Sequence, residues 1–143
     1  MKNQTFLSSL KIAVYGLVSA FKEEKNFQIQ CFIAVLVFMA TMVFGLTDIE
    51  KSIIILTILV VLSLELINSQ IEKFLDLIEP NHHPRVKIIK DFSAGAVLIS
   101  IIGSVLIGLL IFTPYISMVL SFSYWYVHKS SVVYTFRSGN ELF

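Results

Sequence analysis

Three long apolar runs constrain this chain more than any other feature. They cover residues 29–46, 51–70 and 94–112, and each is about 18–20 residues long, the length a helix needs to cross the hydrocarbon core of a bilayer. The backbone finds no hydrogen-bond partners among lipid tails, so a run that spans the core must be helical. The sequence therefore predicts an all-α integral membrane protein with three transmembrane helices.

The composition agrees with a membrane protein and excludes some other classes. The 143 residues are 56% hydrophobic, whereas soluble domains are about 45–50% apolar. That length allows one compact domain, and a net charge of +1 gives no indication of a nucleic-acid partner. The single cysteine, Cys31, lies in an apolar run, so no disulfide can form within the chain.

The segment before the first run, residues 5–25, has the pattern of an amphipathic helix. Apolar residues recur at helical spacing from Phe6 to Phe21, while Lys11 and the charged residues 22–25 supply a polar part. Such a helix lies in the membrane interface or packs on other protein. The residues leave these two readings open.

The distribution of Lys and Arg predicts the orientation in the membrane. Four lysines precede the first run and four basic residues lie in the link 73–91, but the connection between the first two runs has only Lys51, at the start of the second run. The positive-inside rule puts the N-terminus and the link 73–91 in the cytoplasm. The third run then reaches the outer side near Thr113 and Pro114.

The C-terminal segment, residues 116–143, is harder to interpret. Its apolar part, together with Tyr115, is about 13 residues long, which is too short to span a membrane. Tyr124, Trp125 and Tyr126 suit a membrane interface. The sequence predicts an interfacial segment followed by a loose end.

A row of polar residues on the second run is the strongest sign of chemistry. Glu72 and Asp76 fall within about 20° of Glu65 around a helix, and Asn68 lies about 60° to the side. An ionisable residue inside a span costs at least ~2.5–3.5 kcal/mol on insertion scales, which makes it a functional candidate by default. The alternative is that the carboxylate has no function and simply reaches water or pairs with a lysine. This alternative explains Asp76 well and Glu65 worst.

Other charged residues lie on the same predicted side of the membrane. Glu23 and Glu24 precede the first run, and Lys90 and Asp91 precede the third. Mg²⁺ typically takes one or two carboxylates together with substrate phosphates, and phosphoryl transfer needs positive charge and a base. The cluster therefore favours phosphoryl transfer at the membrane surface, but a non-catalytic protein such as an ion-coupled transporter subunit also places carboxylates in its spans.

Two other patterns give no catalytic site. Residues 45–52 look like a phosphate-binding P-loop, but Glu50 stands where the second glycine is required. His82 and His83 are direct neighbours without a cysteine set, so they do not indicate zinc.

Small residues recur at four-residue spacing on the third run. Such a ridge is typical of close helix packing, within or between subunits. Its members are Ala96, Ser100, Ser104 and Gly108.

The chain resembles a known family over about residues 10–115. The matching segments are AFKEEKNF (20–27), LELINSQIEKFLDLI (64–78) and HHPRVKIIKDFSAGAVL (82–98). Together they are similar to the small prokaryotic membrane kinases called diacylglycerol kinases, and within them to the undecaprenol kinase branch. The spacing E-x-x-N-x-x-x-E-x-x-x-D, followed by K-D and a small-residue run, is highly specific.

The resemblance implies a homotrimer of three-span chains, each with a surface helix, in the bacterial cytoplasmic membrane with the active site facing the cytoplasm. It implies that Glu65 is the catalytic base and contacts the lipid, and that Glu24 and Glu72 hold the Mg²⁺ of bound ATP. It implies a lipid kinase domain at residues 1–115, with 116–143 as a tail outside the usual family pattern. Further residues would lie at the nucleotide, and one at the lipid. The nucleotide set is Asn68, Asp76, Asn81, His82, His83, Lys90 and Asp91, and the lipid contact is Ala94.

The implied reaction is the ATP- and Mg²⁺-dependent phosphorylation of a membrane lipid alcohol. Undecaprenol is the expected substrate, with diacylglycerol as the alternative. Gln30 stands where some diacylglycerol-preferring members carry a second acid. This departure favours the undecaprenol branch and removes one metal or nucleotide contact.

Overall fold

The structure, a computed structural model, describes residues 5–81 and 83–139, with side chains described up to residue 125. This part of the chain holds four helices and no strand. They are α1 (Phe6–Glu23), α2 (Lys25–Val43), α3 (Asp48–Ile78) and α4 (Pro84–Gly139). Helices α2, α3 and α4, the last over Pro84–Trp125, are long and apolar enough to cross a membrane. The predicted all-α fold with a leading helix and three spans is confirmed.

A single residue separates α1 from α2. Glu24 has extended backbone angles (φ −103°, ψ 105°), so it ends α1 and begins α2. The side chain of Gln28 donates a hydrogen bond to the carbonyl of Phe21 across this break, at 2.8 Å. The break fixes Glu24 at the point where the two helices meet, at one end of both.

Helix α2 ends three residues before the predicted limit of the first apolar run, Leu46. Gly45 has a φ of +63°, a conformation that only glycine adopts readily. The amide of Leu46 reaches back to the carbonyl of Thr41 at 3.3 Å, which is the glycine-terminated helix end known as the Schellman motif. Leu46 itself is buried there, so its apolar character belongs to the turn and not to the span.

Helix α3 begins at a capping box. The hydroxyl of Thr47 accepts from the amide of Glu50, whose carboxylate accepts from the amide of Thr47. Such reciprocal bonds satisfy the free backbone donors of a helix start. The stretch 45–52 that looks like a P-loop is therefore a helix end followed directly by a helix start.

The second span is one continuous helix of 31 residues. It includes the predicted run 51–70 and the polar continuation as far as Asp76. At 1.5 Å per residue, Glu65 lies about 26 Å and Glu72 about 36 Å from the helix start at Asp48. The polar residues thus occupy the C-terminal half of α3, near the end where α1 meets α2.

A short link, residues 79–83, leads to α4. The Nδ1 atom of His83 accepts from the amide of Arg85 at 3.2 Å, and its carbonyl accepts from the amide of Lys87. Pro84 takes the first helical position, where its missing N–H would have had no partner. In the described structure His83 therefore caps a helix.

The helix that contains the third run does not end at Thr113 and Pro114, where the run is expected to reach the outer side, because α4 continues through Pro114 to Gly139. A proline removes only one backbone donor, and hydroxyl side chains can satisfy carbonyls in an apolar helix. Beside the proline, the hydroxyls of Thr113 and Ser117 donate to the carbonyls of Leu109 and Pro114, in addition to the backbone bonds of the helix. Chain contacts divide the structure into two units, residues 1–105 and 106–143, so α4 belongs partly to each.

Few of the side chains that the structure describes are buried within one chain. The buried apolar residues are Ala20, Phe27, Leu46, Ile54 and Val97, and the buried polar ones are Thr41, Glu65, Asn68 and Ser69. Most large apolar side chains are exposed, as expected for a surface that faces lipid or other protein. A Cβ added at Gly103, beside the small-residue ridge of α4, would meet no atom within 4 Å, so this surface is open in a single chain.

Candidate active site

Four polar residues of α3 lie on one side of the helix and become more exposed along it. We call Glu65, Asn68, Glu72 and Asp76 the polar face of α3; their spacing of three and four residues keeps them in one stripe. Glu65 is 3% exposed and Asn68 8% exposed, whereas Glu72 is half-buried and Asp76 exposed. Glu65 is thus the most buried of the four. It is also the residue hardest to explain from the sequence as a solvated carboxylate or as the partner of a lysine.

Glu65 is held by a side chain of the neighbouring helix. The Nε2 atom of Gln30, on α2, donates to Oε2 of Glu65 at 2.8 Å. Helix α2 packs against α3, which brings these residues together although 35 positions separate them. The sequence placed Gln30 among departures from a family pattern and did not predict this contact.

Asn68 and Glu72 form the next pair along the same face. The Nδ2 atom of Asn68 donates to Oε1 of Glu72 at 2.9 Å. The amide oxygen of Asn68 is buried and has no hydrogen-bond partner among the described residues. A carboxylate and an unpaired amide oxygen therefore lie side by side, both of them hard oxygen acceptors.

Lys73 joins the end of α3 to the break between α1 and α2. Its Nζ lies 2.7 Å from Oε2 of Glu23 and 2.8 Å from Oε1 of Glu24. The hydrogen bond and the charge of Lys73 lower the pKa of Glu23. The less exposed partner is Glu24, whose side chain is 23% exposed. The sequence used Lys73 only to predict the orientation in the membrane and did not predict these contacts.

Asp76 pairs with Lys90, which ties α3 to the start of α4. A lysine partner is one of the two readings that the sequence left open for Asp76, and the pair brings together two residues that the resemblance places at the nucleotide. Within residues 5–81 and 83–125, the other predicted nucleotide and lipid contacts outside α3 have no side-chain bond to the polar face of α3. They are Asn81, His83, Asp91 and Ala94, all of them exposed, and His82 lies outside the described residues.

The predicted Mg²⁺ ligands can be tested by the chemistry of their donors. Among the described residues, no group of three or more His, Cys, Asp or Glu side chains could hold a metal ion. Mg²⁺ needs only one or two carboxylates when substrate phosphates and water supply the rest. Glu72, with the unpaired Asn68 oxygen beside it, and Glu24 at the same end of the helices fit that requirement, although Lys73 holds Glu24 in this structure.

Fold and polar face together define a small multi-pass membrane protein with an ionisable site at one end of its helices. Residues 11–112 match the family model described as prokaryotic diacylglycerol kinase, and the chain belongs to this family. It is therefore a membrane lipid kinase, and kinase chemistry implies ATP as the phosphate donor.

Three relatives give the scale of the similarity. Undecaprenol kinase of Bacillus subtilis is 41% identical over 109 residues, which cover 76% of this chain and 89% of the relative. Diacylglycerol kinase of Haemophilus influenzae is 37% identical over 108 residues, 74% of this chain and 92% of the relative. Diacylglycerol kinase of Synechocystis is 35% identical over 116 residues, 80% of this chain and 66% of the relative.

Proposed function

We propose that this chain transfers the γ-phosphoryl group of ATP to the hydroxyl group of undecaprenol, with Glu65 as the catalytic base. The observation that carries the proposal is the burial of the Glu65 carboxylate in an apolar helix, with one oxygen held by Gln30. Glu65 takes the proton of the lipid hydroxyl through its other oxygen as the hydroxyl oxygen bonds to phosphorus. The bond from phosphorus to the β–γ bridging oxygen breaks, and ADP leaves.

The depth of Glu65 supports a lipid alcohol as its partner. A start of α3 at one membrane boundary puts Glu65 about 26 Å across a core of about 30 Å, and Glu72 beyond the core. The hydroxyl of a membrane lipid lies near the opposite boundary, close to Glu65, while ATP stays in water. Glu65 therefore meets the lipid, and the residues that follow it on α3 meet the nucleotide.

The nucleotide is bound by residues beyond Glu65 on α3 and at the start of α4. Asn68, Asp76 and Lys90 lie on the polar face of α3 or against it; Asn81, His82, His83 and Asp91 complete the proposed set, and Ala94 contacts the lipid. Glu24 and Glu72 hold Mg²⁺. When bound there, Mg²⁺ would supply positive charge for the phosphoryl group that is transferred. Lys73, released from Glu24, remains close enough to attract a phosphate.

The assembly and orientation are also proposed. A homotrimer is supported by the exposed apolar side chains of a single chain and by the open surface at Gly103 on α4. The cytoplasmic placement of the site is supported by the basic residues gathered around it, which follow the positive-inside rule. ATP is available on that side.

Two observations favour undecaprenol over diacylglycerol as the substrate. One relative is named undecaprenol kinase, and Gln30 stands where some diacylglycerol-preferring members of the family carry an acid. Diacylglycerol is the second candidate, because two relatives of similar identity bear that name. Both are alcohols, so the same base and nucleotide site serve either one.

The experiment is a comparison of ATP turnover by the purified full chain with undecaprenol and with diacylglycerol, each in the same bilayer. We expect kcat/KM to be higher for undecaprenol. Equal or reversed kcat/KM values would contradict the preference for undecaprenol and favour diacylglycerol as the substrate, without affecting the proposed mechanism. No turnover with either lipid would contradict both proposed substrates.

A further inference from the structure

The bond between Gln30 and Glu65 has a fixed direction. A carboxylate only accepts hydrogen bonds, so Gln30 must present its NH₂ group to Oε2 of Glu65 and turn its own oxygen away. That oxygen, Oε1 of Gln30, is buried and has no hydrogen-bond partner in the part of the chain that the structure describes. The bond to Glu65 is therefore the polar contact that orients the Gln30 side chain.

We propose that Gln30 is the positioning residue for the base: its amide holds one carboxylate oxygen of Glu65 and leaves the other to meet the lipid hydroxyl. The proposal rests on the proposed role of Glu65. A carboxylate on a flexible side chain samples several rotamers, and a general base must lie within hydrogen-bond reach of the proton that it takes. A donor on the neighbouring helix α2 selects one of these orientations.

The chemical type of the donor supports this role. At Glu24 the partner is a cation, the ammonium group of Lys73. At Glu65 the donor is a neutral amide, which orients the carboxylate without adding a positive charge. A charged partner suits Glu24 as a metal or nucleotide contact, and a neutral partner suits Glu65 as a base.

A purely structural role makes a different prediction. A hydrogen bond that only joins α2 to α3 would change stability, and its loss would act on turnover independently of the base. A bond that positions the base acts through Glu65, so its loss should matter only while Glu65 is in place. A double-mutant cycle separates the two cases because it measures this dependence.

The experiment measures kcat and the KM for ATP of Gln30→Met, Glu65→Asp and the double variant, in the full chain with saturating undecaprenol. Met has the length of Gln and lacks the donor, and Glu65→Asp keeps a base but withdraws it from Gln30. We expect Gln30→Met to lower kcat about 10–100-fold, as is typical when the outer partner of a functional group is removed, with the KM for ATP within about twofold. In the Glu65→Asp background the same change should lower kcat by less than about twofold.

A matched control is Gln28→Met, which removes a glutamine bond of the same length, 2.8 Å, two residues earlier on α2. It should have the same effect on kcat in the parent as in the Glu65→Asp background. If Gln30→Met does not assemble, Gln30→Asn carries the test, because it keeps the amide and withdraws it by one carbon. Parent-like kcat in the assembled variant, or equal losses in both backgrounds, would overturn the role of Gln30. Parent-like kcat in Glu65→Asp and in Glu65→Gln would instead overturn the proposed base.

Discussion

Replacing Glu65 by Gln separates chemistry from folding. The substitution keeps the shape of the side chain and removes its charge, and its amide oxygen can still accept from Nε2 of Gln30, the bond that measures 2.8 Å in the structure. A positioned general base contributes about 10²–10⁴-fold, which is about 3–5 kcal/mol of activation free energy at 1.36 kcal/mol per factor of ten. Turnover should therefore fall by at least ~10²-fold.

The melting temperature of Glu65→Gln should rise or stay the same. Glu65 is 3% exposed, and a charge in a membrane helix costs at least ~2.5–3.5 kcal/mol on insertion scales. Removing that charge while keeping the hydrogen bond gives no reason for a lower melting temperature. We therefore expect a large loss of activity together with an undiminished Tm.

The assay is lipid-dependent ATP turnover by parent, Glu65→Gln and Glu79→Gln in one bilayer, with Tm measured on the same samples. Glu79 follows α3 directly and lies outside the proposed site, so its acid-to-amide change should leave turnover within about twofold. Near-normal turnover in Glu65→Gln would refute the role of Glu65 as the base. An inactive Glu65→Gln with a much lower Tm would show that Glu65 supports the fold.

Three further predictions concern the pairs around α3 and the C-terminal tail. Glu24→Gln and Glu72→Gln should each weaken the dependence of turnover on Mg²⁺, and their effects should be far from additive because both serve one ion; Mg²⁺ titrations that overlay the parent's would show that they share no cation. Because Lys73 lowers the pKa of Glu23 from its ordinary value of about 4.5, this pair stabilises the fold above that pH and the effect is lost as pH falls through the lowered pKa. The Tm deficit of Lys73→Met relative to the parent should therefore shrink on acidification below about pH 4, and a deficit that is constant with pH would contradict it. Truncation after Ser117 should leave turnover intact, since every proposed site residue precedes position 95, whereas a well-expressed, assembled but inactive truncation would show that the tail takes part in the site.

The sequence was sufficient for the features that depend on local periodicity. The length of an apolar run determines whether it can span a membrane, and a period of 3.6 residues places Glu65, Asn68 and Glu72 on one stripe wherever α3 packs. These properties are set within one helix, so no knowledge of its neighbours was needed.

Contacts between helices could not be obtained in this way. Gln30 meets Glu65, and Lys73 meets Glu24, because of how α2 is rotated and how α1 breaks at Glu24; periodicity sets neither. The errors in helix limits have a related cause. Leu46 is apolar because a turn buries it, and Pro114 lies within α4 because a proline removes one backbone donor without having to end an apolar helix.

The central claim, that this chain phosphorylates a membrane lipid alcohol from ATP, is tested most directly by following the γ-phosphate. ATP labelled at that position is incubated with the full chain in bilayers that contain undecaprenol, and the lipid and aqueous fractions are separated after a single turnover. We expect label in undecaprenyl phosphate for the parent and at least ~10²-fold slower labelling for Glu65→Gln. Label found only as inorganic phosphate would contradict the claim, whereas lipid labelled equally fast by both proteins would contradict the role of Glu65 as the base.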